Sequence, residues 1–136
     1  MDPIKFEKNQ NNSPESFTFQ QWPVYKESIK LSSKVTEIRT KMTKSGHCAL
    51  SEQLRRAVDS IPLNLAEGYS RSTKRDKQTF LRIAKGSAFE CVAIMDILKS
   101  SRVIDENTYE DFHSSLLIIS RMISLIINHL EKNLRR

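Results

Sequence analysis

Residues that break helices and form tight turns are scarce in this chain, which has 3 glycines and 4 prolines among its 136 residues. Glycine and proline supply many of the tight turns that connect strands, so few of them remain to build a sheet of short strands. The length fits one domain, and hydrophobic residues make up 38% of the chain, enough for one modest core. These features together predict a single domain of a few long helices.

Apolar side chains recur at helical spacing in four segments, at about 20–44, from about 49 or 51 to 69, at about 74–100 and from Asp105 onward. This pattern predicts an all-α protein, an up-and-down antiparallel four-helix bundle. The first segment has a buried stripe of six residues: Val24, Ser28, Leu31, Val35, Ile38 and Met42. Among the boundary residues, Gly46 is expected to end helix 1 and Gly68 to close helix 2, because glycine takes the left-handed backbone conformation easily. Ser51 is the expected N-cap of helix 2.

The N-terminal residues, the two cysteines and the most apolar segment indicate where the protein resides. Residues 1–17 are polar and lack an apolar core of a signal peptide, so we expect a flexible arm followed by a bundle domain at 18–136. Two cysteines without paired spacing indicate reduced thiols in a cytoplasm. Polar residues interrupt the most apolar segment, 116–130, so we expect no membrane span and a soluble protein.

The fourth helix is apolar on two sides, whereas a helix in a small monomeric bundle needs only one apolar side. Its core stripe consists of Phe112, Leu116, Ile119, Ile123, Ile126 and Leu130. A second set recurs on the far side at the same spacing: Ile118, Met122, Leu125 and His129. A second apolar face predicts a homo-oligomer with helix 4 in its interface. Phe89, on the outer face of helix 3, is open to three interpretations: a subunit contact, a base-stacking platform or an ordinary surface aromatic.

No pattern in the sequence indicates catalysis. The chain has no glycine-rich phosphate loop and none of the usual metal or nucleophile motifs. His47 and Cys48 are adjacent but point about 100° apart on a helix, and His113 and His129 have no further ligand one turn away. We therefore predict a protein that is not an enzyme and that holds no metal or cofactor.

Positive charge is concentrated in one short stretch of the chain. The formal net charge is +6, and residues 71–85 alone contain six basic residues and one acidic residue. Lysine and arginine neutralise phosphates, and the hydroxyls interleaved with them can donate hydrogen bonds. The expected phosphate contacts are Arg71, Lys74, Arg75, Lys77, Arg82 and Lys85. Arg55 and Arg56 are weaker candidates, because their spacing to Asp59 and Glu52 also fits salt bridges along the helix.

Two segments resemble a known family. Residues 51–68 read SEQLRRAVDSIPLNLAEG, and residues 80–90 read FLRIAKGSAFE. These runs resemble the 23S ribosomal RNA intervening-sequence proteins, a family of four-helix bundles, and the resemblance extends over most of the chain. The positions that match the family signature are Gln53, Arg55, Arg56, Ser60, Pro62, Asn64, Glu67 and Gly68.

The resemblance implies a bacterial, cytoplasmic protein without catalytic activity. Bundles similar to this family serve as accessory variability determinants of diversity-generating retroelements, as basic, barrel-shaped homopentamers that bind nucleic acid and a reverse transcriptase. The resemblance therefore implies a ring-like homo-oligomer, a pentamer, with a surface for RNA or DNA.

Two main functional hypotheses follow from these observations, and a third is a bundle that binds a small ligand in a pocket with convergent polar groups. The first is a non-enzymatic homo-oligomer that binds nucleic acid, structured RNA in particular, through the basic loop and helix face. The second is a protein-interaction subunit, for example an accessory of a retroelement reverse transcriptase, or a scaffold that binds no nucleic acid. In the second case Phe89 and the outer face of helix 4 are the expected contacts.

Overall fold

A computed structural model describes residues 17–134 of the chain. This part contains four α-helices and no strand, preceded by one short 3₁₀ segment. Their bounds are Thr18–Gln21 for the 3₁₀ segment, Pro23–Lys44 for α1, Cys48–Ser70 for α2, Lys74–Ser100 for α3 and Glu106–Leu134 for α4. The all-α prediction is confirmed. The expected flexible arm lies outside the described residues, except for Phe17 at its end.

The helices pack as a four-helix bundle in which each helix contacts two neighbours. α2 and α4 each pack against both α1 and α3, the α2–α3 seam is the most extensive, and the α1–α4 seam is the least. Connections of three to five residues reverse the chain between successive helices, so sequence neighbours run antiparallel. α2 therefore ends, and α3 begins, at the end of the bundle where α1 starts.

The predicted buried stripes of α1 and α4 form the core. All six stripe residues of α1 and all six of α4 are buried, and the large side chains Leu31, Leu116 and Ile123 are almost completely shielded from solvent. Burying one such side chain contributes roughly 1.5–3 kcal/mol relative to leaving it exposed. The spacing of apolar residues therefore predicted the core faces of these two helices correctly.

The prediction that Ser51 is the N-cap of α2 is wrong. α2 begins at Cys48 with His47 at the N-cap, so Ser51 lies inside the first turn. Ser51 is buried, and its hydroxyl and carbonyl oxygens accept hydrogen bonds from Arg39 Nε at 3.1 and 3.2 Å. The hydroxyl thus contributes to the contact between α1 and α2 and does not cap the helix.

The predicted role of Gly68 is also wrong, whereas that of Gly46 is correct. Gly46 has a φ of 81° in the turn that follows α1. α2 continues past Gly68 to Ser70, and Gly68 instead lies where α3 comes close. A Cβ atom added there would be 3.2 Å from the Phe80 Cβ atom and 3.4 Å from the carbonyl oxygen of Lys77. Gly68 therefore permits close helix packing.

The second apolar face of α4 is exposed in the single chain. Leu125 and Ile118 are 57% and 45% exposed, Met122 is half-buried and His129 is exposed. By length and composition alone, the stretch Glu106–Lys132 could cross a membrane, a property that core helices of soluble bundles share. The absence of a membrane partner stays a prediction.

Candidate nucleic-acid interface

The connection between α2 and α3 places basic side chains at one end of the bundle. Arg71 is the C-cap of α2, and its N–H donates to the carbonyl oxygen of Gly68. Thr73 is the N-cap of α3, where its hydroxyl accepts a hydrogen bond from the Asp76 N–H at 3.1 Å. The connection is therefore only three residues long and is tied to both helices. We call this the basic end.

Two of the basic residues at this end have structural partners. Arg71 forms an ion pair with Glu67, and its guanidinium carbon lies 4.6 Å from the centre of the Phe80 ring. Lys77 is half-buried, and its Nζ donates to the carbonyl oxygen of Tyr69 at 2.8 Å. Burial lowers the pKa of Lys77 below its ordinary value. These two side chains hold the connection in place.

Three further cations at or near this end point into solvent. Lys74, Arg75 and Arg82 are exposed, and none of them forms an ion pair with a carboxylate within the part of the chain that the structure describes. Arg75 and Arg82 are seven residues apart, so they lie on the same face of α3. Lys85, one turn further on, is half-buried with its Nζ 5.7 Å from the centre of the Phe89 ring.

The basic surface is defined here by the six residues predicted as phosphate contacts between 71 and 85, and the structure leaves Arg55 and Arg56 outside it. Arg55 forms ion pairs with Glu52 at 3.2 Å and with Asp59 at 3.9 Å. Arg56 is exposed on α2, about 22 Å along the helix from Arg71 at 1.5 Å per residue. Arg55 therefore forms the predicted pair with Asp59, but it also takes Glu52, which the spacing assigned to Arg56, and Arg56 forms no ion pair among the described residues.

Sequence reasoning missed an aromatic cluster at the basic end. The Phe19 ring centre lies 5.1 Å from that of Tyr25 and 5.7 Å from that of Tyr69, and the buried Trp22 ring contacts Tyr69 at 5.3 Å. Phe17 extends this cluster toward solvent, 6.0 Å from Phe19. The available signal was four aromatic residues within residues 17–25.

The predicted interface residues occupy two separate faces. Phe89 is 58% exposed and lines a largely apolar groove of about 340 Å³ between α3 and α4, together with Val92 and Leu117. Leu125 and His129 lie on the other side of α4, where they line a second depression. Phe89 is thus not part of the same patch as the outer face of α4.

The cysteines and the potential metal ligands give no positive sign of chemistry. No group of three or more His, Cys, Asp or Glu side chains in the described residues could hold a metal ion. Burial raises the pKa of the Cys91 thiol to about 12, which leaves it protonated at neutral pH, whereas Cys48 is exposed. The predictions that the protein is not an enzyme and binds no cofactor stay predictions.

Fold and site together define an all-helical bundle with one strongly basic end. The family model described as 23S rRNA-intervening sequence protein matches residues 20–125, and the chain therefore belongs to that family. A solved structure from Bacteroides thetaiotaomicron, a protein with unknown function from the S23 ribosomal protein family, has a similar fold. It has a TM-score of 0.73 and 21% sequence identity, covering 77% of this chain and 95% of that chain. No curated protein matches the chain.

Proposed function

We propose that this protein is a non-enzymatic bundle that binds nucleic acid through its basic surface. The observation that carries the proposal is the set of exposed cations Lys74, Arg75 and Arg82, which have no carboxylate partner among the residues described. Four cations elsewhere, Lys34, Arg39, Arg55 and Lys99, each form an ion pair. Cations without a carboxylate partner on one face attract a polyanion and release the counterions bound to it.

The chemistry of the surface fits phosphates more closely than isolated carboxylates. Lys74 and Arg75 lie in the first turn of α3, where backbone N–H groups and the positive end of the helix dipole also favour anions. Arg82 and Lys85 continue the charge along α3. Such contacts read the phosphate backbone and not the bases. Structured RNA is the ligand we propose first, with DNA as the alternative outcome of the binding experiments.

A homo-oligomer would repeat the basic surface by symmetry. Support for an oligomer comes from Ile118 and Leu125, which are exposed on α4 in the single chain. We propose a ring-like assembly, a pentamer as the family resemblance implies, in the cytoplasm. Light scattering at micromolar concentration should give a mass several times that of the 15.7 kDa chain. A species of chain mass alone would contradict the assembly.

The binding proposal is tested by removing three charges at each end of the bundle. The triple variant Lys74→Gln, Arg75→Gln, Arg82→Gln should bind structured RNA at least about tenfold more weakly at low salt. The slope of log K against log salt concentration should flatten by roughly 0.7–0.9 for each phosphate that the variant no longer neutralises. Filter binding or fluorescence anisotropy measures both quantities.

The matched control removes the same charge from the opposite end. The substitutions Lys41→Gln, Lys44→Gln and Arg102→Gln change exposed cations around the two connections there. This control should bind with nearly the affinity of the parent protein. Equal losses in the two triple variants would contradict a localised site, and so would binding that does not weaken between low and physiological salt.

A second candidate function is a protein-interaction subunit, such as an accessory of a retroelement reverse transcriptase. The observation in its favour is the apolar groove in which Phe89 and Leu117 remain exposed. Under this proposal, a specific protein should co-purify with the chain after nuclease treatment. Leu117→Gln should weaken that association and leave RNA binding intact, whereas nuclease-sensitive association would contradict a direct protein contact.

A further inference from the structure

The basic end also presents an exposed aromatic ring, which a purely electrostatic phosphate site does not require. Phe17 is 69% exposed, the most exposed of the large hydrophobic side chains described. Its backbone is not loose: the Phe17 N–H donates to Gln20 Oε1 at 3.2 Å and its carbonyl accepts from the Gln20 N–H. These hydrogen bonds with Gln20 fix the Phe17 backbone at the start of the 3₁₀ segment, and the ring is exposed there.

The aromatic cluster connects Phe17 to the basic surface. Phe17 contacts Phe19, Phe19 contacts Tyr69, and the Tyr69 ring lies 5.6 Å from Lys77 Nζ. Tyr69 is in the last turn of α2, directly before the connection that carries Arg71. The half-buried ring of Phe19 packs against Phe17 on one side, and the other side of Phe17 faces solvent.

We propose that the basic end binds an unpaired segment of nucleic acid, with Phe17 stacking on a base while Lys74 and Arg75 contact neighbouring phosphates. This inference rests on the proposed nucleic-acid function and makes its ligand more specific. Bases within a duplex are already stacked on each other, so a protruding phenyl ring gains little from a fully paired helix. A base in a loop, bulge or tail has a free face, and stacking on an aromatic side chain is how many proteins hold such bases.

The cations favour this occupant over an apolar protein segment. An exposed ring beside neutral surroundings would fit a hydrophobic peptide, but Phe17 shares its end of the bundle with the exposed Lys74 and Arg75. Alternating aromatic and cationic side chains is the arrangement used to follow single strands, because each nucleotide offers one flat base and one phosphate.

The experiment compares two RNAs with the same number of phosphates: a stem with an unpaired oligouridine tail and a blunt duplex. Phe17→Ala should weaken binding of the tailed RNA about tenfold and leave binding of the duplex unchanged. Phe17→Trp should retain tail binding, because it restores an aromatic face. Ile97→Ala is the matched control: Ile97 is an exposed apolar residue near the other end of α3, and its loss should change neither affinity.

The outcomes separate this inference from the function on which it rests. If Phe17→Ala leaves tail binding unchanged, or weakens both RNAs equally, while the triple glutamine variant weakens both, stacking is refuted and phosphate binding stands. If the parent protein binds neither RNA, nor the equivalent DNAs, both proposals are refuted. Circular dichroism of Phe17→Ala should match the parent protein, since the side chain lies outside the four α-helices.

Discussion

The two ends of the bundle differ in which of their cations form ion pairs. At the end where α3 stops and α4 begins, Lys99 Nζ lies 3.1 Å from Glu106 Oε2. Nearby, the guanidinium of Arg39 lies 2.8 Å from Glu52 Oε1 and joins α1 to α2. At the basic end, Lys74 and Arg75 project into solvent without such partners among residues 17–134.

This difference is more informative about function than about stability. Exposed ion pairs contribute about 0–1 kcal/mol each, so pairing or not pairing these residues changes the free energy of unfolding little. Its effect on the local electrostatic field is larger, because Lys74, Arg75 and Arg82 form no ion pair among the described residues and lie close together on α3, where their charges add. Clustered cations without carboxylate partners are what a phosphate-binding site requires.

The largest expected effect concerns the helix packing that supports the basic end. Gly68→Leu should lower the free energy of unfolding by about 1–3 kcal/mol, because its side chain would collide with Phe80 at the α2–α3 seam. The matched control is Gly86→Leu on the exposed face of α3, where an added Cβ meets nothing within 4 Å. This control should be neutral or stabilise by up to about 1 kcal/mol. Urea denaturation measures both, and equal destabilisation would contradict the close approach at Gly68.

A smaller, opposite effect is expected from freeing a cation at the basic end. Glu67→Gln removes the carboxylate that pairs with Arg71, so RNA binding should tighten by about two- to fivefold at low salt, from one added phosphate contact. Glu52→Gln makes the same change for Arg39 and Arg55 near the opposite end and should leave affinity nearly unaltered. Anisotropy titrations at several salt concentrations measure the two variants. A gain of equal size from both would show that only net charge matters.

The smallest expected effect is a difference in pH dependence between the N-caps at the two ends of the bundle. The cap of α4 ionises, and the cap of α3 does not. The Asp105 carboxylate caps α4 by accepting the Thr108 N–H at 2.7 Å, and these hydrogen bonds from Thr108 hold the pKa of Asp105 below its ordinary value. Its stabilising contribution is therefore present at neutral pH and is lost as the pH falls through that lowered pKa. Asp105→Ala should lower Tm at pH 7, and the difference from the parent protein should shrink in acid.

Thr73 provides the control for this pH dependence. It caps α3 through a neutral hydroxyl, so Thr73→Ala should lower Tm by the same amount across the acid range. Thermal unfolding followed by circular dichroism between pH 7 and about pH 2 gives both curves. A parallel decline of the two differences would contradict the assignment to the Asp105 carboxylate.

The periodicity of apolar residues predicted most of the fold, because the spacing of residues along the sequence determines which of them share a helix face. The bounds predicted for α3, 74–100, agree with the structure, and so do the buried stripes of α1 and α4. Gln78 lies within one helical turn of the exposed Arg75 and Arg82, yet it is buried and donates to the carbonyl oxygen of Ile127 at 3.3 Å. That partner is 49 residues away, so local spacing held no sign of it.

The candidate site was predictable only in part, for a related reason. The sequence located the cations of residues 71–85, but it did not distinguish Arg71 and Lys77, which have partners, from Lys74 and Arg75, which project freely. The aromatic cluster joins residues 17–25 to Tyr69, a separation that periodicity within one helix does not bridge.

The single tryptophan of the chain gives the basic end an optical reporter of its own. Trp22 is buried, and its ring meets that of Tyr69 edge-on at the start of α1. Its fluorescence should be blue-shifted in the folded protein and should move to the red when this end opens. Selective excitation of the indole therefore follows local unfolding and ligand occupancy at the basic end without any attached dye.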